Sequence, residues 1–179
     1  MKKLFFLLLS FATTIQAFSQ KIKTKSGLVN FDAVESTFEP VKALNKATTC
    51  ILNTANGQIA SQILMKGFEF KVALMEEHFN ENYIESDKYP KATLKGKIEN
   101  FDYSKITQNF QNIQIKGTIE LHGKIKDVII DGKIKKNVDS TELTTNFILL
   151  PEDFDIRIPS IVRGKIAKKV NVSTVFLLK

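Results

Sequence analysis

Few residues in this chain have the type and spacing to do chemistry. There are two histidines, His78 and His122, 44 positions apart. A zinc site needs three or four nitrogen, sulfur or oxygen ligands, and no cysteine cluster or acidic spacing supplies a third. His122 stands beside a turn glycine and His78 in a helical stretch, so both read as structural hydrogen-bonding residues. Glu76 and Glu77 are adjacent and so do not share a helical face. They suit the first turn of a helix, where the positive end of the dipole favours acids. Glu152, Asp153 and Asp155 alternate with Phe154 and Ile156, the pattern of a solvated strand face rather than a cation site. Cys50, in the run ATTCIL, reads as a buried small hydrophobe. No nucleophile elbow, phosphate loop or dinucleotide fingerprint occurs. Asn171-Val172-Ser173 is formally a glycosylation sequon but falls within a strand pattern. No catalytic residue and no metal ligand is assigned, so the residues point away from an enzyme.

What the chain does position is apolar surface. The stretch Leu74 to Lys97 is the one place where alternation breaks into helical spacing and resumes. Met75, Phe79 and Tyr83 recur every four residues and share a helical face. Pro90 biases Tyr89 towards an extended backbone and ends the helix. From Lys91 to Glu99, Ala92, Leu94, Gly96 and Ile98 alternate with polar residues, as in a half-buried strand.

Upstream, Leu28 to Ala33 reads as a strand. Phe38, Val41 and Leu44 could form a helical turn after Glu39-Pro40. Ala47 to Asn53 and Gln58 to Met65 read as strands joined at Asn56-Gly57, the strongest hairpin signal present. Gly67 could mark a bulge or bend, and Phe68, Phe70, Val72 and Leu74 alternate after it. Asn100 to Gln111 is a polar connection. Asn112 to Leu121 and Lys124 to Ile134 form a hairpin about His122-Gly123, the second strand interrupted at Asp131-Gly132. Thr141 to Leu150 is a further strand, Glu152 to Pro159 again alternates, Ser160 to Lys169 contains a helical turn, and Val170 to Leu178 is the last strand.

Alternation of this kind implies an antiparallel sheet buried on one face, and closure into a barrel removes its exposed edges. The expected fold is all-β, an antiparallel barrel of about eight strands with one short helix. No repeat, low-complexity tract or linker appears. Residues 1–19 read as a cleavable secretory signal: Lys2 and Lys3, a short apolar run, then Ala17-Phe18-Ser19 before a cut at Ser19/Gln20. The run is too short for a spanning helix, which needs about 20 residues. Residues 20–179 then form one domain, secreted or periplasmic. Without the leader the chain keeps 24 basic and 19 acidic residues. The lysines are scattered along strands rather than clustered among aromatics, which argues against nucleic-acid binding and leaves transient contact with an anionic membrane surface open.

On closure, Phe68, Phe70, Phe79, Leu94, Ile98, Ile115, Ile119, Phe147 and Ile156 converge inside. A barrel of this size either packs solid or holds one small ligand, and the residues are compatible with both.

The run MEEHFNENYIESDKYPKATLKGKI, followed by KGTIELHGKIKDV, resembles the YceI family of secreted lipocalin-like proteins, from about Gly27 to the C-terminus. The turn Glu120-Leu121-His122-Gly123 keeps the family's HG but lacks the threonine many members carry before it. The resemblance implies a lipocalin-like barrel whose elongated cavity holds an isoprenoid chain, such as a polyprenyl lipid or quinone tail, with the helix around His78 to Ser86 bordering the barrel. It implies the nine residues above as lipid-binding, a bound isoprenoid in place of any other cofactor, and a carrier function. The alternative is a stress-related or structural barrel with a filled core that acts through its surface.

Overall fold

Among the described residues, alternating side chains give nine strands, all pairing antiparallel: β1 (Lys21–Val34), β2 (Lys42–Asn53), β3 (Gln58–Leu64), β4 (Phe68–Phe70), β5 (Lys91–Ile98), β6 (Gln111–Leu121), β7 (Lys124–Lys136), β8 (Thr141–Leu149) and β9 (Ile166–Leu178). This computed structural model describes residues 20–34, 41–158 and 166–179. Eight strands close into a barrel in the order β1-β2-β3-β5-β6-β7-β8-β9, with β9 returning to β1. β4 lies outside that circuit and pairs with the start of β2, Ala43 opposite Phe70.

The hairpin expected at Asn56-Gly57 joins β2 to β3, with Gly57 at φ +75°. The one at His122-Gly123 joins β6 to β7 with both residues at positive φ. The bend expected at Gly67 is a 3-10 turn, Met65–Gly67, that carries the chain from β3 to β4. Buried Asn45 secures it: its Nδ2 donates to the Leu64 carbonyl at 3.0 Å and its Oδ1 accepts from the Ala47 amide at 2.9 Å. The helix is α1 (Ala73–His78), extended by a π turn over Phe79–Tyr83 in which the Ile84 amide reaches the Phe79 carbonyl.

Four expectations are corrected. Leu44 lies in β2, not in a helical turn. Val72 caps α1 and Leu74 lies within it, exposed, so the alternation after Gly67 stops at Phe70. β7 runs unbroken through Asp131-Gly132: Gly132 faces both Ile113 and Thr145, and a Cβ there would come within 2.6 Å of the Thr144 carbonyl oxygen. That glycine lets strands approach rather than ending one. Residues from Glu152 do not form a strand; Pro151–Phe154 is a 3-10 turn that buries Phe154. The proposed leader, Phe38, and residues 160–165 of the second proposed helical turn lie outside the described residues, while 166–169 belong to β9.

The interior divides along the barrel axis. At one end the wall is packed solid by Cys50, Leu52, Ile98, Ile115, Ile134 and Leu143, each at most 1% exposed. The 99–110 connection crosses this end, burying Ile106 and placing the Tyr103 hydroxyl 2.8 Å from that of Thr141. The other end carries α1 and the segment after β8. There the β7–β8 ladder stops at Gly132 and Thr145, although β7 reaches back to Lys124 and β8 continues to Leu149. The 3-10 turn occupies this splay.

Candidate functional site

The open half encloses a cavity of about 470 Å³. Inward positions of the strands form its walls, because alternate side chains point to one face. α1 and the π turn contribute Met75, His78, Phe79 and Tyr83, so the face foreseen at four-residue spacing is the one that borders the cavity. The segment after β8 contributes Phe154, Ile156 and Ile158.

Four rings from three elements build one wall. Phe31 of β1 lies 5.3 Å from Phe68, 5.6 Å from Phe70 and 5.4 Å from Phe79, and Phe70 lies 5.1 Å from Phe79. Such edge and offset contacts add about 1 kcal/mol a pair beyond the area they bury. They lock α1 and β4 against the barrel. Glu76 supports the same joint, its Oε2 accepting from the Phe70 amide at 3.2 Å.

Of the nine expected lining residues, Phe68, Phe70, Phe79, Leu94, Ile119, Phe147 and Ile156 face the cavity. Ile98 and Ile115 point inward too, but in the solid half, where they are core. Sequence reading missed Phe31, Met65, Leu121, Leu149, Phe154 and Phe176, which also line the cavity. Phe31, Leu121 and Leu149 share the inward parity of their strands, and that signal was available. Phe154 follows from no periodicity, since its burial depends on the 3-10 turn.

The segment that carries Phe154 is clamped to β7 and its turn. The His122 ring meets the Phe154 carbonyl oxygen through Nδ1 at 2.9 Å, packs on Tyr89 at 4.4 Å, and holds Nε2 3.6 Å from Glu85. Lys124 pairs with Asp155 at 2.7 Å and Lys126 with Asp153 at 3.7 Å. The Lys124 ammonium, which donates to Asp155, holds that carboxyl below the usual carboxylate range. Asp153 and Asp155 of the acidic cluster thus form solvated ion pairs on a turn, not a strand face.

The cavity surface is nearly without charge. Among the described residues no lysine, arginine, aspartate or glutamate lines it, and its ionisable members are His78 and Tyr83. Burial pushes the Tyr83 phenol up, so it is a neutral hydroxyl at ordinary pH. Its other polar members are Ser61, Thr93, Thr145 and Thr174. No group of three or more His, Cys, Asp or Glu residues among the described ones could hold a metal ion.

The YceI-like domain model matches residues 12–176, most of the chain. The protein belongs to the YceI-like family. Solved structures share the architecture. A polyisoprenoid-binding domain from Saccharophagus degradans, implicated in plant cell wall breakdown, superposes with a TM-score of 0.76 at 13% identity, covering 89% of this chain and 98% of that one. BcnA of Burkholderia cenocepacia gives 0.70 at 13% identity, over 86% and 96%. The YceI protein of Campylobacter jejuni gives 0.61 at 16%, over 81% and 89%. At these identities the likeness is one of fold. No curated protein matches the chain.

Proposed function

We propose that this YceI-like protein is a secreted or periplasmic carrier that holds a long apolar isoprenoid-type lipid, a polyprenyl or quinone tail, in the hollow half of its barrel. The observation that carries this reading is the 470 Å³ cavity with its almost wholly apolar lining. A void of this kind in a protein otherwise packed to native density has a cost, and an apolar ligand removes it. Burying about 600 Å² of isoprenoid surface would contribute roughly 15 kcal/mol before the cost of ordering the ligand. The polyisoprenoid-binding domain of Saccharophagus degradans, with the same fold, supports the ligand class. The leader at 1–19, with Lys2 and Lys3 before its apolar run, supports the location. A binding role rather than catalysis fits a lining that is apolar but for His78, Tyr83 and a few hydroxyls among the described residues. A filled barrel acting through its surface fits the cavity less well.

The test is native mass spectrometry of protein isolated from its own host, followed by solvent extraction. A stoichiometric isoprenoid or quinone is the expected result. Protein that is empty, and that takes up neither a short-chain ubiquinone nor squalene in vitro, would overturn the reading.

A further inference from the structure

Deep in the cavity two hydroxyls face each other. Thr145 of β8 and Thr174 of β9 are register partners, and their Oγ1 atoms lie 2.8 Å apart. Both side chains line the cavity. Thr145 is the innermost residue of β8 to do so, since Leu143, two positions on, is solid core. Phe147 and Leu149 lie between it and the mouth.

Two hydroxyls carry two protons and four acceptor sites. Their mutual hydrogen bond uses one proton, and the other has no use within the pair. A buried donor left unmade costs about 1–3 kcal/mol, and the surroundings on the cavity side are apolar. An acceptor oxygen on the ligand would satisfy it. Among the described residues no lysine or arginine lines the cavity to match a phosphate, and an unpaired charge buried there would be costly.

From this arrangement we propose that Thr145 and Thr174 form a polar anchor that receives an uncharged oxygen of the ligand, a carbonyl or a hydroxyl, at the deep end of the cavity. The proposal rests on the carrier reading above and adds ligand class and orientation. The oxygen-bearing end enters first and the hydrocarbon tail runs back towards α1. An isoprenoid phosphate is disfavoured in this pose.

The experiment compares the wild type with the Thr145→Val/Thr174→Val double variant, using a short-chain ubiquinone and squalene, an isoprenoid hydrocarbon without oxygen. Replacing both partners of a hydrogen bond by groups of the same shape is close to neutral for folding, so the variant should keep its melting temperature. Calorimetric titration should show ubiquinone binding weakened about tenfold in the variant, the worth of one hydrogen bond, with squalene affinity unchanged. In the infrared, one carbonyl stretch of bound ubiquinone should lie at lower wavenumber in the wild type than in the variant. Equal ubiquinone affinity in both proteins with no carbonyl shift would overturn the anchor and leave the carrier reading standing. Equal weakening of both probes would also overturn it, as a packing effect. Failure of the wild type to bind either probe would remove the carrier reading and the anchor with it.

Discussion

Phe70 and Ile115 face the same interior under different constraints. Phe70 is half-buried against Phe31 and Phe79 and borders the cavity, whereas Ile115 is 0% exposed in the packed half. A carboxylate at 115 would be buried without a partner, at a cost of several kcal/mol out of a total stability of about 5–15 kcal/mol. Ile115→Asp should therefore fail to give a cooperative urea transition. Phe70→Asp can turn its charge towards the mouth; it should remain folded by circular dichroism and lose lipid uptake at least tenfold. Cys50 is the chain's one cysteine, fully buried, and burial pushes its thiol up to about 12. At pH 8 a disulfide reagent should label it on the time scale of global unfolding in native protein, and within seconds in urea. Rapid labelling of the native protein would show that the solid half opens locally.

Among the elements, β5 and β6 depend on two glycines that stand opposite one another, Gly96 and Gly117. A Cβ on Gly117 would fall 2.1 Å from the Lys95 carbonyl oxygen, and one on Gly96 2.8 Å from that of Lys116. Both obstacles are backbone, so the strands themselves would have to part. Gly117→Ala should cost about 3 kcal/mol in a urea titration, more than Gly96→Ala. The clamp on the Pro151–Phe154 turn adds a dependence on pH. Asp155 is held below its ordinary range by Lys124, with Arg157 and His122 acting in the same sense. Its folded value is depressed, so its contribution is present above the unfolded value of about 4 and is lost as pH falls through the folded one. Hydrogen exchange at 152–155 should therefore be flat from pH 7 to about pH 5, after correction for intrinsic rates, and rise below about pH 4. Lys124→Ala should remove that acid step. Alternation made most of these strands legible in the sequence, since period two assigns each side chain to a face. It assigns no depth along the barrel. Ile98 shares a face with Leu94, and Ile115 with Ile119, yet four residues at about 3.3 Å each separate cavity wall from solid core. The stretch from Glu152 reads as a strand because Phe154 and Ile156 keep period two by chance, whereas tertiary burial of Phe154 in the β7–β8 splay decides the conformation of the Pro151–Phe154 turn. Gly132 reads as a break in the sequence, which does not show how closely β8 passes.

Taken whole, the molecule is a barrel of which half is packed and half is empty. Folding leaves enclosed a volume that the unfolded chain gives back to water. Hydrostatic pressure acts on such a volume directly, since the decrease on unfolding scales with internal void. The ligand-free protein should thus unfold at a markedly lower pressure than temperature stability alone would suggest, and a lipid that fills the 470 Å³ should raise the midpoint pressure more than its affinity accounts for. Fluorescence of the three tyrosines in a pressure cell would follow the transition. Equal midpoints with and without lipid would mean that the ligand sits elsewhere. For a carrier, the same volume means that giving up cargo is compressive work in reverse: each release re-creates a hole, and whatever receives the lipid must supply the free energy to open it.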